Sequence, residues 1–391
     1  IEKIKLKGVC MAYFDNAATT FPKPDCVYSG MDEFNRNLAV NINRGQYAQS
    51  IKAGKIVADT RKLLLQLLNA ETTHDVIFTP SATISLNMVL QGLDYTKIKT
   101  IFISPFEHNA VLRPLNYLKE KYNFEIKELN VDKNTMKYDL EGIKYQFLDN
   151  KPDVVIVSHA SNVCGLIAPI KEIFDLAKEK QAITITDMAQ TCGLVDVDLK
   201  EVKADFAIFA GHKTLYSSIG IGGFLIRKGA KLEPILYGGT GVMSALPKQP
   251  DTIPEKFEIG SLNTLAVAGL YYSLNWLLGL KKGQVWEQEE KNHKRLYQLL
   301  KKYDNIKIYG YSDYSVGIIS CTFEGLSPDN IENILAEHNI AVRTGLHCAP
   351  NAHKFLGTFP AGTVRFSVSY FTNDDDFKQL EKALDYIEEN S

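Results

Sequence analysis

The chain has 391 residues, with 44 Lys+Arg against 46 Asp+Glu and a formal net charge of −2. At roughly 150 residues per domain this length accommodates two or three domains, and 45% hydrophobic with 23% charged residues excludes a disordered chain. The near-neutral balance removes the electrostatic footprint of a nucleic-acid binder, and six Cys without any Cys-x-x-Cys fit neither a disulfide scaffold nor a paired-thiolate metal site. A reducing, cytoplasmic setting with no bound metal is expected.

Residues 1–10 carry Lys3, Lys5 and Lys7 but no long apolar run, so they read as an extension and not as a secretory signal. From 76 to 226 short apolar runs alternate with amphipathic stretches. Strands are expected at 76–78, 100–103, 126–131, 153–158, 183–187, 205–210 and 222–226, with helices at 85–93, 112–122 and 170–179. Runs such as Val154-Val155-Ile156-Val157 are apolar at every position, as in strands buried on both faces of a parallel sheet. The pattern is that of a doubly wound α/β domain with a mainly parallel seven-stranded sheet. The Gly-rich loop after 210 is too short for a helical crossover, so the strand at 222–226 is expected to run antiparallel.

Beyond Pro247 the texture changes to helices at 265–280, 286–303, 328–338 and 374–389, with strands at 315–323 and 363–368. The expected organisation is a large α/β domain over 14–260 and a smaller α+β domain over 261–391, the latter joined by residues 1–13. The most apolar stretch, 262–280, contains Asn263, Thr264, Ser273 and Asn275, which favours a buried helix over a membrane span. No membrane association is expected.

In open α/β sheets ligands sit beyond the carboxyl ends of the strands. The residues there are Ser81-Ala82-Thr83, Glu107-His108-Asn109, His159 to Asn162, Asp187 to Gln190 and Gly211-His212-Lys213. Asp187 and Lys213 follow consecutive strands. A pyridoxal-phosphate site needs such a pair, an amine for a Schiff base and a carboxylate beside the pyridine nitrogen. An unrelated strand-end Asp and a surface Lys are the plainer alternative. Ala82 and Thr83 open a helix whose free amides suit a phosphate, although Ser and Thr there serve equally as caps. His108 is placed to stack on a ring or to be a hydrogen-bonded loop residue. Cys348 lies in a Gly- and Pro-punctuated loop beside His347 and near Arg343, neighbours that favour a nucleophilic thiolate. Cys164 and Cys192 lie near strand exits and are weaker candidates, buried structural thiols being the usual outcome. Arg365 interrupts an apolar strand, and a carboxylate suits its two-pronged geometry.

Taken together, Tyr13 to Thr20, Ser158-His-Ala-Ser-Asn-Val-Cys-Gly, Asp187-Met-Ala-Gln, Gly211-His-Lys, Glu258-Ile-Gly-Ser-Leu-Asn-Thr and Arg343-Thr-Gly-Leu-His-Cys-Ala-Pro resemble class V, fold-type-I enzymes dependent on pyridoxal 5′-phosphate. Within that class the resemblance is to the cysteine desulfurase and selenocysteine lyase group, from Tyr13 to Ile387. It implies Lys213 as the cofactor-bearing amine and α-proton base, Asp187 at the pyridine nitrogen, Gln190 at the ring hydroxyl and His108 on the ring face. Ala82, Thr83 and His212 would hold the phosphate, with Ser261 reaching across a homodimer to the partner's phosphate. Asn162 and Arg365, with Asn16, Arg44 and Arg343, would hold the substrate. Cys348 would attack the sulfur of L-cysteine, or the selenium of L-selenocysteine, leaving L-alanine and a persulfide. A loop suits a persulfide that must leave the pocket and meet an acceptor protein or thiol, with iron–sulfur cluster assembly one destination.

Three departures from the family pattern stand out. Ala210 replaces a Ser, Ile84 replaces a Glu, and Asn43 and Tyr47 replace histidines. Another class V reaction, aminotransfer or epimerisation with Cys348 a bystander, is the alternative enzyme reading. A non-catalytic regulatory module is the alternative from another class. No Gly-x-Gly-x-x-Gly follows the first strand, which argues against a nicotinamide enzyme.

Overall fold

Strands without a polar face must be covered on both sides, and the five residues of Val154–Ser158 are all buried near the middle of a seven-stranded sheet. A computed structural model describes residues 11–42 and 45–390. The expected extension at 1–10, and Asn43 and Arg44, lie outside the described residues. The sheet order is His74–Thr79, Gly222–Arg227, Phe206–Ala210, Ile183–Asp187, Val154–Ser158, Thr100–Ile103 and Glu125–Glu128. Gly222–Arg227 runs antiparallel to both neighbours, as its short connection requires, and the other strand pairs are parallel.

The expected strand at 126–131 is instead two pieces. Glu125–Glu128 forms the sheet edge, while Val131–Asp132 turns away to pair with Lys137–Tyr138. Gln146 holds the break, accepting from the Asn130 amide and donating to the Glu128 carbonyl. Four helices are absent from the sequence reading: Asp25–Asn37, Ala48–Leu67, Leu140–Asp149 and Pro350–Leu356. Small residues do the packing in the first two. A Cβ on Gly30 would lie 2.3 Å from the Tyr272 ring, and Ser50, Ala53 and Thr60 are buried in the second.

Thr264–Gly279 packs against both of those helices, which is why it is apolar on nearly every face. Val267, Leu270 and Leu274 therefore belong to the core around the large sheet, although the sequence reading assigned everything from 261 onward to the smaller unit. No helix among the described residues is long and apolar enough to cross a membrane.

A second, four-stranded antiparallel sheet has the order Ile306–Tyr309, Ile318–Phe323, Thr363–Ser367, Arg343–Gly345. Its own core joins the helices Gln284–Leu300, Pro328–Glu337 and Asp374–Glu389. Ala12–Tyr13 pairs with Ile340–Ala341, and Phe14 lies in this smaller core, so the start of the described chain is stitched to its end. From there the chain passes through Asp15, which bridges to Ser367, and enters the edge of the large sheet's ligand side.

Gly223 lies in the strand where backbone spacing is tightest. A Cβ there would meet the Ile77 carbonyl oxygen at 2.3 Å and the Phe209 ring at 2.5 Å. Gly223→Ala is therefore expected to lower unfolding stability by about 1–3 kcal/mol, the usual cost of overpacking, read as a lower urea midpoint; an unchanged midpoint would contradict the packing described.

Candidate active site

Most of the functional side chains of the large sheet sit where a strand ends. Ser158 and Asp187 are partners at the carboxyl ends of adjacent parallel strands, and Ala210 ends the next. The loops beyond these ends form one cleft of about 240 Å³, lined by Ala82, Thr83, His108, Asn162, Asp187, Gln190, His212, Lys213, Arg343, Cys348 and Arg365. The acid and the amine thus share one cavity. Asp187 accepts from the Ala189 amide at 2.9 Å, and burial holds its carboxyl above the usual carboxylate range. Burial likewise draws the Lys213 amine down to about 8, with Arg365 and Arg343 acting in the same direction and Asp187 opposing.

Ala82 and Thr83 begin the helix Ala82–Gln91, whose first amides the helix itself cannot use. Ser81 caps it by accepting from the Ile84 amide, leaving the two residues beside the cleft to present a positive helix end. His108 caps the next helix, its Nδ1 accepting from the Ala110 amide at 3.0 Å. Since an amide only donates, the imidazole proton is on Nε2. Burial pushes the pKa of His108 down to about 4, aided by Lys213 and Arg343, so the ring is neutral at pH 7.

Gln190 donates to the Ala17 carbonyl at 2.9 Å, and Asn162 donates to the His347 carbonyl at 2.7 Å. Arg365 is only 2% exposed; it donates to Asp15 at 2.9 Å and to the Asn162 carbonyl at 3.0 Å. Several buried side-chain atoms among the described residues have no hydrogen-bond partner, and four of them, Asn162 Oδ1, His212 Nδ1, His347 Nδ1 and Arg365 Nε, belong to residues that line the cleft. Buried polar atoms are ordinarily satisfied, so this concentration suits a polar ligand.

Cys348 follows the strand Arg343–Gly345 on a loop in which His347 and Cys348 both adopt left-handed backbone angles, φ 46° and 57°. The loop is held at consecutive carbonyls: Asn162 donates to that of His347, and the Asn109 amide to that of Cys348 at 2.6 Å. The thiol is partly exposed, with an Arg343 guanidinium nitrogen 3.9 Å from Sγ. The expected help from His347 is absent. Burial drives its pKa down to about 2, and its Nε2 bonds Thr363, so the cation near the sulfur is Arg343.

The expectation for Asn16 needs correction. Asn16 does not line the cleft; its amide bonds the Tyr13 and Ser367 carbonyls and the Phe21 amide, which consumes its polar atoms on backbone. Asp15, its neighbour, is the residue of that segment that reaches Arg365. The signal was available, because a buried Arg demands an acid and the motif supplied one beside the Asn. Ser261 lies in a separate cleft of about 560 Å³, together with Ile84, and not in this chain's own Lys213 cleft. Cys164 and Cys192 are core residues outside the cleft, and burial lifts the Cys192 thiol to about 12. Glu107 was read only as a neighbour of His108. It is fully buried and accepts from the Ser104 hydroxyl, the Ser158 amide and the Ser158 hydroxyl, tying two strand ends together behind the cleft.

Alkylation of the native protein with iodoacetamide is expected to modify Cys348 while sparing Cys164, Cys192 and Cys321 until the chain is unfolded, as read by peptide mass spectrometry. Removing the acid from the buried pair, Asp15→Ala, is expected to cost about 3–5 kcal/mol in chemical denaturation, since Arg365 would keep an uncompensated buried charge.

The same fold recurs in known proteins. A curated relative described as a probable cysteine desulfurase from Pyrococcus abyssi is 32% identical, covering 96% of this chain and 93% of its own. Another, from Methanothermobacter thermautotrophicus, bears the same description and is 29% identical over 96% of this chain and 94% of its own. The apo structure of a cysteine desulfurase from Thermococcus onnurineus superposes with a TM-score of 0.90 at 29% identity, covering 97% of this chain and 95% of that one. The Escherichia coli cysteine desulfurase CsdA gives 0.85 at 25% identity, covering 96% and 94%. The family described as aminotransferase class-V matches residues 12–380, almost the entire length, and this chain belongs to that family.

Proposed function

We propose that this protein removes sulfur from L-cysteine with the help of pyridoxal 5′-phosphate, giving L-alanine and a persulfide on Cys348. The observation that carries the reading is the meeting of Asp187, Lys213 and Cys348 in one cleft. The names of the relatives support it. Pyridoxal 5′-phosphate is the cofactor of the family, and the residues fit it. An acid and an amine face one cavity, a neutral imidazole lines its wall, a helix amino end suits a phosphate, and His212 Nδ1 waits for a partner.

In this reading Asp187 holds the pyridine nitrogen, His108 covers the ring, Gln190 reaches the ring hydroxyl, and Ala82, Thr83 and His212 hold the phosphate. The cofactor, when bound, supplies an electron sink that makes the substrate's α-proton acidic and its carbon–sulfur bond labile. Arg365 orients the substrate carboxylate with the Nε donor that lacks a protein partner, while the unpartnered Asn162 Oδ1 accepts from a donor group of the bound molecule. Lys213 takes the α-proton, its amine being poised near neutral pH by burial. The sulfur of Cys348, beside Arg343, attacks the substrate sulfur; a sulfur–sulfur bond forms as the carbon–sulfur bond breaks, and the carbon product takes up protons to become alanine. The atoms balance as cysteine plus thiol to alanine plus persulfide.

An acceptor thiol, on a protein or a small molecule, then takes the sulfur. A homodimer is also part of the proposal. Ser261 lies outside its own Lys213 cleft, near a surface on which Leu236, Tyr237, Met243 and Leu246 are exposed, as expected of a loop that reaches a partner's phosphate. The described cysteines are free thiols, which supports a reducing, cytoplasmic setting.

Cys348→Ser is expected to keep the visible colour of the purified holoprotein while abolishing alanine release and the mass gain of one sulfur atom at residue 348. Persistent desulfuration in that variant would refute the assignment. Lys213→Ala is expected to lose the colour. Because Lys213 is neutral above about pH 8 and charged below, covalent uptake of pyridoxal 5′-phosphate by the apo protein is expected to rise through pH 7–8 and level off above. A rise centred near the ordinary Lys value would contradict the burial argument.

A further inference from the structure

The amine of Lys213 is only as well placed as the peptide that bears it, and that peptide is gripped from an unexpected direction. The His212 carbonyl accepts from the Thr20 amide at 3.1 Å, the Thr19 hydroxyl at 3.0 Å and the Lys23 ammonium at 3.4 Å. The Thr20 hydroxyl lies 3.0 Å from the Lys213 carbonyl and 3.3 Å from that of His212. Lys23 also donates to the Thr20 carbonyl at 2.9 Å and to the Thr20 hydroxyl at 3.3 Å. An ammonium has no acceptor, so the Thr20 oxygen must accept from it, and the single Thr20 proton is left to point at the His212–Lys213 backbone.

Lys23 bears a cost for this place. Burial draws its pKa down to about 8, and among the described residues it has no carboxylate partner. A lysine serving solubility alone would extend to water. We propose that Lys23 is a positioning residue for Lys213: its ammonium orients the Thr20 hydroxyl and grips the His212 carbonyl, setting the peptide from which Lys213 meets the cofactor. This rests on the cofactor reading above.

The consequence is selective. Ring and phosphate binding depend on the side chains of Asp187 and His108, the helix end at Ala82 and Thr83 and the His212 imidazole; Lys23 bonds only the backbone carbonyl of His212 and none of the others, whereas covalent capture depends on the angle and distance of one amine. Apo protein mixed with pyridoxal 5′-phosphate reports capture through its visible absorbance. The analogue 4′-deoxypyridoxine 5′-phosphate lacks the aldehyde and reports non-covalent binding alone. Lys23→Met is expected to slow capture about tenfold while the analogue's Kd stays within about threefold, and Lys23→Arg is expected to recover most of the rate. An unchanged capture rate, or a parallel loss of capture and analogue affinity, would overturn the proposal. If Lys23→Met does not fold, Thr20→Val must show the same split, and its absence there is equally decisive. Wild-type protein that captures no pyridoxal 5′-phosphate would instead refute the cofactor reading itself.

Discussion

A guanidinium buried at the junction of three distant chain segments organises this molecule. Arg365 comes from the central part of the small sheet, Asp15 from the segment that crosses between the two sheets, and the Asn162 carbonyl from a loop of the large sheet. A buried Arg without an acid would be costly, so the pair holds the crossing segment against both sheets. Ser367, two residues on, repeats the stitch by donating to the Phe14 carbonyl and accepting from the Ala17 amide. The same junction is one wall of the cleft, so what joins the two sheets also shapes the site.

Burial sets the charge of that cleft more than proximity does. The imidazoles of His108, His212 and His347 are all driven far below the usual histidine value by loss of water, helped by cations nearby. They are therefore neutral hydrogen-bonding groups at pH 7. The permanent cations left are Arg343 and Arg365, opposed by Asp15 and Asp187, with Lys213 tunable between. An anionic phosphate at the Ala82 helix end and an anionic carboxylate at Arg365 each find a positive counterpart.

The Cys348 loop is held more firmly than a loop bearing a mobile carrier needs to be. Two successive non-glycine residues in the left-handed region store strain, and the surrounding hydrogen bonds to their carbonyls retain it. The close approach of Gly362 to Gly345, where a Cβ would sit 2.3 Å from the neighbouring backbone, fixes the strand from which the loop departs. The thiol is thus presented at a set position in the cleft. Ala210, where the family commonly has Ser, also faces the cleft, so that hydroxyl is missing from the site itself and not from its periphery.

Much of this could be read from the amino-acid order, because local chemistry dictates it. Uniformly apolar runs specify two-sided burial, and the strands at Thr100–Ile103 and Ile183–Asp187 and the helices at Ile170–Glu179 and Asp374–Glu389 fall where their patterns place them. Strand-end positions also carry the site's acid, amine and imidazoles, since sheet topology leaves them nowhere else to converge. Tertiary structure decided what depends on partners distant in the chain. The helix Ala48–Leu67, which buries Ser50, Ala53 and Thr60 among larger residues, shows little periodicity until the facing helix is present. Cys192, the weaker candidate by position, is set apart from the partly exposed Cys348 by full burial. Asn16 and Asp15 are adjacent in the sequence, and only folding shows that one bonds backbone while the other meets Arg365. A side chain's identity is local, but its dielectric surroundings and its counter-charge are properties of the packed whole.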